Sequence, residues 1–368
     1  MDEYIVSARK YRPATFQSVI GQKNITTTLK NAVKNERLAH AYLFCGPRGV
    51  GKTTCARIFA KTINCANLSA DQEVCNECES CKSFMENRSF NIHELDAASN
   101  NSVDDIRSLI DQVRVPPQIG RYSVFIIDEV HMLSQAAFNA FLKTLEEPPS
   151  YAIFILATTE KHKILPTIIS RCQVFDFNRI TVADVVEQLK YVAKNEGIET
   201  EDDGLAVIAQ KADGAMRDAL SIFDQIVAFA GKNVTYKAVV DNLNVLDFDV
   251  FFDMMDAIND HDYLKAMLQF DGVVARGFDP EHFLNGLTHH LRNLLVAQDA
   301  KSVVLLDVSE KTGERYKAQA AQMQSSDIIS HIGILSNAEA NIRMAHDKRQ
   351  HVEFALLRSC MYNDQKKK

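Results

Sequence analysis

The 368-residue chain lacks several features that would each point to a different kind of protein. No apolar run approaches the roughly 20 residues a spanning helix needs, which excludes an integral helical membrane protein. The opening Met1-Asp2-Glu3-Tyr4 has no basic segment leading into an apolar stretch, so no signal peptide is read there and a cytoplasmic protein with no membrane partner is expected. Positive charge is not in excess either: 41 Lys and Arg against 48 Asp and Glu leave a formal net charge of −7. Such a surface does not attract nucleic acid as a whole, so any DNA contact requires a local basic patch or a surface assembled with partners. The eight cysteines do not suggest a disulfide framework in a long chain with no export signal. Cys45, Cys55, Cys172 and Cys360 stand in apolar or helical surroundings and read as small core residues. The apolar fraction of 46% and charged fraction of 24% are ordinary for a globular chain, and the length suits two or three domains.

What the chain does contain is organised around Gly46-Pro47-Arg48-Gly49-Val50-Gly51-Lys52-Thr53, a match to G-x-x-x-x-G-K-[ST]. An apolar run, Ala41 to Cys45, precedes it and reads as a buried strand; Thr54 to Lys61 follows and reads as a helix. A chance match in a chain this long has odds on the order of 1%, and the strand–loop–helix context lowers them. Glycines let backbone N–H groups curl around phosphate oxygens, and the helix N-terminus adds its dipole. Lys52 is expected to reach the outer phosphates and the Thr53 hydroxyl to hold Mg²⁺; Gly46 to Thr54 together form the expected phosphate cradle.

Downstream, Tyr122 to Ile127 is a continuous apolar run that ends in Asp128-Glu129, the pattern of a central parallel strand with a site at its carboxyl end. Asp128 is read as the Mg²⁺ carboxylate and Glu129 as the residue that orients and polarises the attacking water. A further buried strand, Ala152 to Ala157, exits at Thr158-Thr159, whose hydroxyls can face a terminal phosphate or that water. Ile92 to Leu95 and Val174 to Phe177 complete the strands, and Ser134 is placed to cap a helix over Gln135–Glu146. Ser102-Val103-Asp104-Asp105 resembles a capping box; the helix it opens either holds a phosphate, such as one of DNA, or is simply capped.

Between the loop helix and the second strand lie Cys65, Cys75, Cys78 and Cys81. Two overlapping C-x-x-C pairs plus the upstream cysteine suit a closed, structural Zn²⁺ site of four thiolates; a redox-active thiol pair is the alternative. Beyond about residue 178 no strand pattern is seen. Helices are expected over Val182–Asn195, Gly204–Ala212, Met216–Ala230 and Tyr236–Leu243, with Arg217 at the start of the third, where it is either an ordinary surface residue or, in a lid folded over the nucleotide, aimed at the phosphates. A third block shows amphipathic stretches near 250–259, 262–271, 280–297, 326–342 and 348–362. Its histidines, among them His289, His290 and His351, lack ligand spacing and read as surface or core residues, and Lys366-Lys367-Lys368 reads as a solvated end.

Taken together, the motifs resemble those of the AAA+ ATPases and, within them, clamp-loader subunits of the gamma/tau type. The resemblance rests on Lys10-Tyr11-Arg12-Pro13, Gly46 to Thr53, the inserted cysteines, Ile126 to His131, Leu142-Lys143-Thr144-Leu145-Glu146-Glu147-Pro148-Pro149, Leu156 to Thr159 and Ser170-Arg171-Cys172. It covers most of the first 230 residues. It implies an α/β P-loop AAA+ domain with a parallel sheet over 1–178 and a zinc module at about 65–81, a helical lid over 179–244, and a helical collar over 245–368 that joins subunits. It implies that Arg171 is an arginine finger acting on a neighbour's ATP, that Arg217 and Thr158 are sensors of the chain's own ATP, and that Ala8, Arg12, Val19, Ile20 and Gln22 surround adenine and ribose. ATP, Mg²⁺ and Zn²⁺ are then the cofactors. Delta- and delta-prime-type subunits, further copies in a pentameric ring, a sliding clamp and primer–template DNA are the partners. The implied activity is ATP hydrolysis that opens and loads the clamp within a DNA-directed DNA polymerase holoenzyme, with no polymerase site in this chain. Another AAA+ DNA-remodelling motor and a non-hydrolysing assembly subunit are the alternatives. Segments that bind helicase and polymerase in the family lie past the stretch matched here.

Overall fold

The structure, a computed structural model, describes residues 5–362 apart from 87, 119, 244, 300, 301, 303, 304, 307 and 309. The expectations for Met1–Tyr4 and for Lys366–Lys368 lie outside the described residues.

Five parallel strands form the main sheet: β1 (Ala41–Cys45), β2 (Ile92–Asp96), β3 (Ser123–Asp128), β4 (Ala152–Thr158) and β5 (Gln173–Asp176), in the order β2-β3-β4-β1-β5. The three central strands are apolar at nearly every position because both faces of the sheet are covered. Alternate residues go to opposite cores. Tyr42, Phe44, Val124, Ile126, Ile153 and Ile155 pack with the Lys23–Lys34 and Lys52–Ile63 helices. On the other face Leu43, Phe125, Ile127, Phe154 and Leu156 pack with the Val103–Val113 and Gln135–Glu146 helices.

In-register pairing of Cys45 with Thr158, and of Ile127 with Leu156, brings the carboxyl ends of β1, β4 and β3 to one edge of the sheet. That edge is where open α/β sheets bind ligands. Both expected caps form: Ser134 Oγ accepts from Ala137 N, and Ser102 and Asp105 close a reciprocal box. The box occupies the first donors of the Val103–Val113 helix internally.

The chain divides into two compact units, residues 1–192 with 211–224 and residues 193–210 with 225–368. The first carries the sheet. The second is helical apart from one short strand pair and holds its own core, built on Phe251, Met254, Phe270, Phe283, Leu287, Leu291, Leu335 and Leu356. Two expectations need correction. A short parallel pair, Glu199–Thr200 with Asn233–Val234, follows the main sheet although no strand was expected there; two residues are too few to show any periodicity. A helix over Glu310–Ala320 was also missed, because polar residues dominate it and no apolar stripe marks it. Cys45, Cys55 and Cys360 are buried as expected, whereas Cys172 is only partly covered.

Candidate functional site

At the carboxyl edge the chain turns from β1 through Gly46–Gly51 into the Lys52–Ile63 helix. Gly46, Gly49 and Gly51 all have positive φ, 145°, 78° and 104°. At Gly49 a Cβ would also stand 2.9 Å from that of Ala215, so the loop closes only with glycine there. Lys52 is 6% exposed and its Nζ donates to the Gly46 and Pro47 carbonyls at 2.8 and 2.7 Å. Withdrawal from water pushes its pKa down, while Glu129 and Asp128 pull it back up.

Thr53 Oγ1 donates to Asp128 Oδ2 at 2.6 Å, which joins the loop helix to the end of β3. A hydroxyl and a carboxylate side by side at a helix N-terminus are hard oxygen donors of the kind Mg²⁺ takes beside phosphate oxygens. Glu129 has φ 47° and turns its carboxylate toward the end of β4, where Thr159 donates to it from N (3.3 Å) and Oγ1 (3.1 Å). Thr158 is fully buried, and its Oγ1 lies 3.1 Å from His131 Nδ1 and accepts from Glu160 N. Lys52, the Thr53–Asp128 pair, the Glu129 carboxylate and the Thr158 and Thr159 hydroxyls therefore gather at the carboxyl edge of the sheet.

Lys52, Thr53, Asp128 and Glu129 border a cavity of about 620 Å³ within the first unit, lined also by Ala8, Arg12, Val19, Ile20, Arg48 to Gly51, Thr54, Glu94, Ile180 and Arg217, among others, whereas the buried Thr158 lies off its wall. Arg12 Nε donates to Thr54 Oγ1 at 3.1 Å. Partial withdrawal from water and then the like charge of Arg57 lower the pKa of Arg12, against Glu94 and Asp128. The lining thus joins the cations Arg12, Arg48, Lys52 and Arg217 to an apolar set, Val19, Ile20, Ile180, Met216 and Leu220. Helix Met216–Ala230 brings Arg217 to the wall, where its N donates to Gly49 O at 3.4 Å. Asp224 on the same helix accepts from Ser7 N at 2.7 Å and anchors the segment that carries Ala8 and Arg12.

Not every expected residue lines this cavity. Gln22 is buried behind it and donates to Asn178 O at 2.7 Å, so it supports the wall. Gly46 and Pro47 form the base through their carbonyls. Arg171 lies outside the cavity wall: its guanidinium donates to Glu146 Oε1 and to Thr167 O, both at 2.7 Å. His131 and Glu94 were not singled out from sequence. His131 lies two residues past Glu129, and that closeness was the available signal.

The Sγ atoms of Cys65, Cys75, Cys78 and Cys81 all lie within 4.8 Å of one another. Cys65 and Cys75 are 3.5 Å apart and Cys75 and Cys81 4.0 Å, which brackets the ~3.8 Å edge of a tetrahedron with 2.3 Å Zn–S bonds. N–H groups of Glu77 and Cys78 point at Cys75 Sγ and pull its thiol down to about 6, toward the thiolate a metal needs. Burial pushes Cys81 the other way. The donor set fits zinc, and its closed four-sulfur geometry leaves no position for a reacting water.

Three family models match successive parts of the chain: DNA polymerase III, delta subunit, over residues 21–181; DNA polymerase III clamp loader subunit, ATPase lid domain, over 184–232; and DNA polymerase III subunits gamma and tau domain III, over 234–368. DNA polymerase III subunit tau of Bacillus subtilis (strain 168) is 39% identical over 97% of this chain and 63% of its own length. The tau subunit of Escherichia coli (strain K12) is 37% identical over 98% of this chain and 56% of its own. DNA polymerase III subunit gamma of Buchnera aphidicola is 36% identical over 96% of this chain and 98% of its own. The chain therefore spans less than two thirds of the tau relatives and nearly all of the gamma relative.

Proposed function

The chain belongs to the gamma and tau subunit family of DNA polymerase III, with the family's AAA+ parallel-sheet fold, and from that premise we propose that it binds and hydrolyses ATP to drive a clamp loader. The observation that carries this is the meeting of Lys52, Thr53 with Asp128, and Glu129 with Thr159 at one end of a cavity that Arg217 also lines, while Arg171 stays out of it. On this proposal the site has a phosphate cradle, metal-binding oxygens and a water-orienting carboxylate of its own, and a cationic trigger that lies off the cavity wall.

In this reading the triphosphate lies on the Gly46–Thr54 loop with the base against Ala8, Arg12, Val19 and Ile20. Thr53 and Asp128 would hold Mg²⁺, which would supply charge neutralisation at the phosphates. Lys52 and Arg217 stabilise charge on the outer phosphates, and Glu129, oriented by Thr159, positions water for in-line attack. Thr158, fixed by His131, reports on the γ-phosphate. Arg171 serves the ATP of an adjacent copy in a ring with delta- and delta-prime-type subunits, and the helical second unit carries the collar. ATP favours the clamp-holding state only through contacts to its γ-phosphate, so hydrolysis on primed DNA releases the clamp. Contact with DNA is to the phosphate backbone and so salt-dependent and indifferent to sequence. Zinc in the four-cysteine site is structural. The chain supplies no polymerase chemistry, and the cytoplasm is where it acts.

ATP turnover of the chain alone, then with ring partners, clamp and primed DNA, tests the proposal. Low turnover alone and strong stimulation by clamp and primed DNA together are expected. Turnover indifferent to both favours another AAA+ DNA-remodelling motor. Unchanged turnover by an assembled Lys52→Ala ring identifies a non-hydrolysing assembly subunit.

A further inference from the structure

The nucleotide site as described leaves the cysteine loop with no task. Between Cys65 and Cys75 the chain turns at Ser69, whose Oγ accepts from Glu73 N at 3.0 Å. The turn points the Glu73 side chain away from the cysteines and onto the segment that walls the cavity. Its Oε2 accepts from Phe16 N at 2.9 Å and its Oε1 from Gln17 N at 3.0 Å, while Lys30 Nζ lies 2.6 Å from Oε1. The carboxylate is only 14% exposed, so these charge-assisted bonds are largely shielded from water.

Phe16, 2% exposed, is locked into the core beside the sheet, and the short turn Phe16–Ser18 leads straight into Val19 and Ile20 in the apolar part of the cavity lining. Gln22 holds the far end of this strap through Asn178 O. Glu73 holds the near end. A second link from the same module reaches the far end of the loop helix, off the cavity wall: Lys61, buried there, donates to Asn76 Oδ1 at 2.7 Å. Among the described residues Glu73 bonds to Phe16, Gln17, Lys30 and Ser69, and to none of Lys52, Thr53, Asp128 or Glu129.

We propose that the Cys65–Cys75 loop is a metal-set clamp on the base end of the nucleotide cavity, with Glu73 as the positioning residue that transmits it. Ligation of Cys65 and Cys75 pins both ends of the loop, which fixes where the Glu73 carboxylate meets the Phe16 and Gln17 amides. Loss of the carboxylate leaves those amides without their partner and lets Val19 and Ile20 drift from the base. The inference rests on the cavity being an ATP site.

The test uses the full chain and compares ATP with inorganic tripolyphosphate, which has no base, by titration calorimetry with Mg²⁺ present. Glu73→Ala is expected to weaken ATP about tenfold while tripolyphosphate affinity and zinc content stay at wild-type values. Glu73→Gln, which keeps one acceptor oxygen, falls between. Zinc removal from wild type produces the same selective loss, and zinc removal from Glu73→Ala adds less than about twofold because the link is already cut. The clamp is overturned if Glu73→Ala binds ATP like wild type, if both ligands weaken equally, or if zinc removal harms Glu73→Ala as much as wild type. Should circular dichroism show Glu73→Ala unfolded, Glu73→Gln and zinc-depleted wild type decide by the same ratio. A wild type that binds tripolyphosphate and not ATP removes the premise itself, a result distinct from all of these.

Discussion

Replacing Arg171 with alanine tests the proposal that the chain completes a nucleotide site in a neighbour besides carrying one of its own. The Arg171 side chain is 33% exposed and its partner Glu146 48%, so solvent screens their pair and it contributes less than about 1 kcal/mol to folding. Arg171 lies off the wall of the chain's own cavity, so Arg171→Ala should bind ATP like wild type and melt within a few degrees of it. In other phosphoryl-transfer systems an arginine finger contributes about 10³–10⁵ in rate, or about 4–7 kcal/mol of transition-state stabilisation. The catalytic loss thus exceeds the structural one several-fold and cannot be attributed to instability. Steady-state ATP turnover of the reconstituted ring on primed DNA with clamp reads it directly. A mixing experiment then separates finger from cradle: rings of Arg171→Ala alone and of Lys52→Ala alone are both inactive, but mixed rings pair an intact cradle with an intact finger at some interfaces. Partial recovery is expected. Full-speed turnover by Arg171→Ala, or a mixture no better than either parent, refutes the division of chemistry between copies.

Other outcomes follow from the same geometry. Glu129→Gln keeps the hydrogen-bonding shape beside Thr159, so ATP binding persists while single-turnover hydrolysis falls about 10²–10⁴-fold. Gly49→Ala meets both a positive φ and the Ala215 Cβ, and nucleotide titration should show a loss of binding larger than any change in melting temperature. Burial holds His290 down at about 4, between Tyr316 Oη and Gln319 Oε1. Because the unfolded chain takes up that proton first, stability is lost as pH falls from about 6.5 to 4, by about 3 kcal/mol in all. Denaturant titration across that range should show the slope, and His290→Phe should flatten it. Cys81→Ser should lower bound metal from ~1 zinc per chain to none by elemental analysis, while Arg171 chemistry in the assembled ring survives in part.

Much of this protein is legible in its residue order because the signals are local. The Gly46–Thr53 loop needs glycines wherever φ is positive, β3 and β4 need apolar residues on both faces, and a closed thiolate site needs its cysteines close in sequence. Each constraint acts over a few residues and leaves a spaced pattern. Contacts between distant segments leave none. That Glu129 rests on Thr159, that Arg171 is held by Glu146, that Gln22 stands behind the wall and that Glu73 grips the Phe16 and Gln17 amides all depend on which surfaces the folded sheet and helices bring together. A carboxylate in a polar loop looks the same in sequence whether it faces water or two backbone amides 57 and 56 positions away; only the tertiary structure distinguishes them.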